Sequence, residues 1–132
     1  MMKKISGLLV VLLAFSCSEE YKKADDAQDA GRQFIRASLD GDFKKAKFFL
    51  LSDDDNLRLL EKSQSDYLHL SAEAKRLYRE ANIRPVTIQP VNDSLTKYTY
   101  WHTSNEKDTF TLSIVRLKNE WLVDLKSIIE RK

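Results

Sequence analysis

The chain has 132 residues, of which 22 are Lys or Arg and 20 are Asp or Glu, with two histidines and a formal charge of +2. So balanced a charge leaves no electrostatic footprint for nucleic acid, and a single cysteine, Cys17, excludes a disulfide framework or a cysteine-built zinc site within one molecule. The length suits one domain with one modest core.

Met1-Met2-Lys3-Lys4 opens the chain, followed by an apolar run from Ile5 to Phe15 that only Ser6 and Gly7 interrupt, then Ser16 and Cys17. A charged start, a short apolar core and a small-residue exit are the layout of a signal peptide, and the run falls short of the roughly 20 apolar residues a spanning helix needs. Leu13-Ala14-Phe15-Ser16-Cys17 resembles the lipobox of bacterial lipoproteins, with Ala14 and Ser16 as the small residues around the cut and Phe15 bulkier than the commonest version. The resemblance implies removal of residues 1–16, a diacylglyceryl group on the Cys17 thiol and a mature protein held at a membrane. Lys3 and Lys4 would leave with the signal and no acidic residue would, so the 20 acidic residues of the remainder are matched by as many basic ones. Residues 17–23 read as the lipidated tether. Ser18-Glu19-Glu20 within it is similar to the surface-export signal of some outer-membrane lipoproteins, and the expected location is the cell envelope, at the outer membrane of a Gram-negative bacterium.

The first helical pattern places Ala24, Ala27, Gly31, Phe34 and Ser38 on one stripe, broadened by Ala30, Ile35 and Ala37. Asp25, Asp26 and Asp29 gather at its N-terminal end, where the helix dipole favours negative charge. Such a small-residue face lets a sheet approach closely. Asp40-Gly41-Asp42 ends the helix, since glycine accepts the left-handed conformation after a last turn and Asp42 can cap the next helix. Phe43, Ala46, Phe49 and Leu50 are the apolar positions of that second, shorter helix. Ser52-Asp53-Asp54-Asp55 lacks the alternating ligands of a calcium loop and reads as Ser52 capping a third helix, with Leu57, Leu59 and Leu60 turned inward. A fourth helix is expected from Ser65 or Asp66 to Ala81, with Tyr67, Leu70, Ala74, Leu77, Tyr78 and Ala81 at helical spacing and Asn82 as its cap.

Beyond Asn82 the period falls to 2. Ile83 to Val91 reads as an edge strand or an irregular one because Pro85 and Pro90 lack a donor. A turn at Asn92-Asp93-Ser94 leads to a strand from Leu95 to Thr103, with Tyr98, Tyr100 and His102 on one face and Thr99 and Trp101 on the other. A second turn at Ser104–Lys107 precedes Thr109 to Leu117, and Lys118-Asn119-Glu120 turns the chain into a last strand carrying Trp121, Val123 and Leu125. Helices first and a meander afterwards predict an α+β domain over residues 24–132, its N-terminal helices packed against a curved antiparallel sheet of about four strands.

The run from Ala30 to Ala46, with its Asp-Gly-Asp turn between two helices, resembles the opening of nuclear transport factor 2-like domains. Lys118 to Leu125, a tight turn followed by a tryptophan, is similar to their terminal hairpin. The layout as a whole resembles small bacterial lipoproteins that carry a domain of unknown function in this cone-shaped, cystatin-like superfamily, which implies a cone formed by the sheet and closed by the first helix. The superfamily hosts isomerases, dehydratases, transport adaptors and binding modules, and homodimerisation through the convex or open sheet face is common in it, which makes a homodimer one expectation here; fold alone does not assign function.

Tested against the enzymes of that superfamily, the residues favour a non-catalytic binding or interaction domain. Asp124 alternates with Trp121, Val123 and Leu125 and is expected to point outward; His102 has no acidic neighbour on its own strand face, and His69 lies among polar helical positions. No catalytic residue, metal ligand or cofactor is assigned. Tyr98, Tyr100, Trp101 and His102 are the candidate pocket, for a small apolar ligand or a peptide, and another envelope protein is the alternative partner. The competing expectation is an isomerase or dehydratase acting inside the cone.

Overall fold

A computed structural model describes residues 21–126. Cys17, the signal segment and most of the tether lie outside them. Among the described residues, four helices, α1 (Ala27–Asp40), α2 (Phe43–Phe48), α3 (Asp54–Leu68) and α4 (Ala72–Glu80), precede four strands, β1 (Ile83–Asn92), β2 (Leu95–His102), β3 (Asn105–Leu117) and β4 (Glu120–Asp124). The strands form one antiparallel sheet in the order β1-β2-β3-β4, so the architecture is α+β, and β1 and β4 remain unjoined to each other.

The small-residue stripe of α1 does what its composition predicts. Ala27, Ala30, Gly31, Phe34, Ile35 and Ala37 are buried, and the helix lies so close to the sheet that a Cβ on Gly31 would stand 2.8 Å from Cδ1 of Ile114 and 3.3 Å from Cγ of Tyr98. Asp26 caps the helix by accepting from the Asp29 backbone N–H at 2.7 Å, and Gly41 ends it at φ +74°. A side chain at Gly41 would meet the Tyr67 ring of α3 at 2.5 Å, so close approach and backbone conformation both require glycine there. Asp42 then caps α2 by accepting from the Lys45 N–H.

Several boundaries differ from expectation, among them the β2–β3 turn, since β3 begins at Asn105 inside the expected Ser104–Lys107 turn and not at Thr109. Asp53, not Ser52, caps α3, accepting from the Asn56 N–H at 2.8 Å. The expected single helix from Ser65 to Ala81 is divided, because Ser71 turns extended and its hydroxyl accepts from the Ala74 N–H at 3.0 Å, a local bond that starts a new helix. The residues from Ser65 to Leu68 belong to α3, and α4 ends at Glu80 with Ala81 as its cap, one residue before the expected Asn82. Arg36 of α1 holds that end, its guanidinium donating to the carbonyls of Ala81 at 2.6 Å and Tyr78 at 3.0 Å.

β1 is the expected edge strand, and its pairing with β2 slips between Pro85 and Thr87 and again between Pro90 and Asn92. At the other edge the chain segment after α2 lies parallel to β4: the Val123 N–H donates to the Phe49 carbonyl at 2.8 Å and the Leu51 N–H to the Val123 carbonyl at 2.9 Å. The buried side chain of Asn56 then locks the end of β4 to the start of α3, accepting from the Leu125 N–H at 2.7 Å and donating to Asp124 Oδ1 at 3.2 Å. Asp124 is therefore engaged by α3 as well as by the Lys126 N–H. The core lies between α1 and the inner face of the sheet, centred on Tyr98, Ile114 and Val123, each fully buried.

Candidate functional site

Between α1, α3 and the sheet lies a cavity of about 470 Å³. Its floor is β-structure. Tyr100 on β2 is directly opposite Phe110 on β3, their rings 5.5 Å apart, and Leu112 follows on the same face two residues along. The wall nearest the core is α1, which presents Phe34, Ser38 and Leu39; the Ser38 hydroxyl donates to the Phe34 carbonyl at 2.9 Å and so adds little polarity. The far wall is α3, with Ser63, Asp66 and Tyr67, and Tyr78 of α4 closes one end. An apolar floor with a few hydroxyls at the rim suits a small, mostly apolar molecule.

The side chains at the rim are held in place. Tyr67 packs edge-on against Phe43 with ring centroids 5.7 Å apart, and the Lys75 ammonium stands over its ring, 5.5 Å from the centroid. Burial pushes the Tyr100 phenol well above the ordinary tyrosine range, with Tyr98 beside it adding to the shift, so its hydroxyl stays protonated and is a donor at any physiological pH. Asp66 is the carboxylate on the lining. It pairs with Lys62 at 3.0 Å and its side chain is 69 % exposed, which makes it a solvated rim charge and not a desolvated general base.

Of the four residues expected to form the pocket, Tyr98 and Tyr100 are neighbours with ring centroids 5.8 Å apart, but Tyr98, Trp101 and His102 do not line this cavity. Tyr100 lines the cavity. Tyr98 lies deeper, fully buried beneath α1 at Gly31, and its hydroxyl has no hydrogen-bond partner among the described residues. His102 is buried at the end of the sheet, stacked on Phe110 with centroids 5.6 Å apart and edge-on to Tyr78, with its Nδ1 2.6 Å from the Ser104 hydroxyl. Burial, with the Arg36 charge adding to it, holds the imidazole below its ordinary pKa, so it is a neutral packing residue behind the cavity wall. Trp101 alternates out of that face, opposite Arg84 on β1, and does not line the cavity. Phe110, Tyr67 and Tyr78 take the remaining aromatic places. Their signals are present in the sequence, as a strand alternation and two helical periods, but only pairing across the sheet and folding of α3 over α1 unite them.

Among the described residues no cluster of His, Cys, Asp or Glu is arranged to hold a metal ion, and no helix is long and apolar enough to cross a membrane. No family model matches the chain, and neither does any curated protein or solved structure.

Proposed function

We propose that this protein is a lipid-anchored component of the bacterial envelope, at the outer membrane, whose nuclear transport factor 2-like domain binds a small, largely apolar molecule without transforming it. The cavity floored by Tyr100, Phe110 and Leu112 carries this reading, because it is of ligand size, opens to the surface and is apolar where a ligand would be enclosed. Anchoring rests on the lipobox-like run ending at Cys17. Binding in place of catalysis is favoured by the chemistry of the lining, where the one carboxylate, Asp66, is exposed and already paired and the imidazole of His102 lies behind the wall.

The test is titration of the purified protein with N-phenyl-1-naphthylamine, an uncharged aromatic probe whose fluorescence rises in apolar surroundings. Saturable enhancement at one site is expected, and Ser38→Trp, which places an indole into the cavity from α1, is expected to weaken it at least about tenfold, a difference of about 1.4 kcal/mol. Enhancement that Ser38→Trp leaves untouched, in a variant that still melts cooperatively, would place binding elsewhere and sink the proposal.

A further inference from the structure

The first described residue, Tyr21, lies against the end of α2. Tyr21 comes four residues after Cys17, and a chain of that length reaches at most about 14 Å. Its ring packs on Phe48 at the end of α2, with centroids 5.5 Å apart. An acyl group on Cys17 therefore brings this end of α2 within one short tether of a bilayer.

The helix is built for such a neighbour. Phe43 and Ala46 are buried, and helical spacing puts Lys44 and Phe48 on the side away from them with Lys45 and Lys47 flanking, Phe48 half-buried where it leaves the helix against Phe49 and the core. Lys44 and Lys47 are exposed and Lys45 half-buried. Among the described residues none of these three ammonium groups forms an ion pair. Two carboxylates stand near the three lysines: Asp42, which accepts from the Lys45 backbone N–H as the helix cap, and Glu61 of α3, which lines the groove between α2 and α3 together with Lys44 and Lys47. Glu19 and Glu20 on the tether would be repelled by a negative surface, and the lysines offset that repulsion.

We infer that the outer face of α2, formed by Lys44, Lys45 and Lys47 around Phe48 and Tyr21, docks on an anionic phospholipid surface. The inference rests on Cys17 being the anchor. Each lysine near such a surface strengthens attraction roughly fivefold, and aromatic rings settle at the boundary between headgroups and acyl chains. Three lysines would hold a free domain only weakly, but a tethered domain already sits at high local concentration, so the same attraction fixes its orientation. Phe43 of the same helix lines the cavity, which places a site for apolar molecules beside the bilayer.

The test uses the mature acylated protein inserted in nanodiscs of either zwitterionic lipid or lipid with about one-third phosphatidylglycerol, with acetylation rates of individual lysines read by mass spectrometry. Lys44, Lys45 and Lys47 are expected to react at least about threefold more slowly on anionic discs and to recover in about 0.5 M salt, while exposed Lys107 on β3 reacts equally throughout. A protein that stays with the discs but whose α2 lysines ignore lipid charge overturns the docking and leaves the anchor standing. A protein that does not stay with the discs overturns the anchor and the docking with it.

Discussion

Single residues set the closeness of the layers. Ala in place of Gly31 gains about 1 kcal/mol of helix propensity, but its Cβ would press on Ile114 Cδ1, and overpacking a filled core costs about 1–3 kcal/mol. Gly31→Ala is therefore expected to lower the urea midpoint in the wild-type chain and to be neutral or stabilising in an Ile114→Val background, where that methyl is gone. Equal losses in both backgrounds would mean that Tyr98, not Ile114, limits the approach. A second residue-level consequence concerns acid. The folded His102 has a lowered pKa, so below the ordinary value near 6.5 the unfolded chain takes up a proton that the folded chain resists. Its contribution to stability is present above that value and is lost as pH falls toward and through the folded pKa. Urea unfolding at about pH 7.5 and about pH 5 should show a decline that His102→Phe, which keeps the stack on Phe110, reduces. An unchanged pH slope in His102→Phe would assign the decline to the carboxylates.

Secondary-structure elements differ in how far they can be read from the sequence. The meander and its order are legible because β-branched and aromatic residues alternate between short polar turns. The position of the turns is less so: counting back from a turn at Ser104–Lys107 pairs Tyr100 with Thr111, whereas the actual turn sets His102 opposite Asn105 and a register shift between Tyr100 and His102 then sets Tyr100 opposite Phe110. A slip of one residue exchanges the faces of a strand, which is why sequence alone does not set Phe110 beside Tyr100 in the cavity floor. The divided helix has a similar cause, since Tyr67, Ala74, Tyr78 and Ala81 keep one period across a break made by a single serine hydroxyl. The β3–β4 turn carries a local cost. Lys118 and Asn119 both sit at positive φ, 49° and 62°, as the tight hairpin turn demands. The double substitution Lys118→Asn with Asn119→Gly, which installs the dipeptide such turns prefer, should stabilise the protein by about 1 kcal/mol, read from thermal melting. A lower melting point would show that the Lys118 side chain contributes more than its backbone costs.

For the whole molecule, the order of helices before a meander makes the α+β class readable, and the stripe on α1 makes readable which helix covers the sheet. The cavity is only partly readable. Its walls come from α1, α3, α4 and two strands, and no local pattern states that α3 will fold across from α1; Gly41 against Tyr67 and Asn56 against Leu125 fix that arrangement through contacts distant in sequence. The one cysteine of the sequence, Cys17, lies outside the described residues, and the cavity is bounded by hydroxyls, rings and a paired carboxylate around an apolar space. Such a lining fits holding a molecule better than converting one. Native mass spectrometry of the acylated protein extracted from its own membranes tests this most directly. The account predicts one non-covalent apolar adduct per chain that Ser38→Trp removes, and a bare acylated chain, or an adduct indifferent to Ser38→Trp, would contradict it.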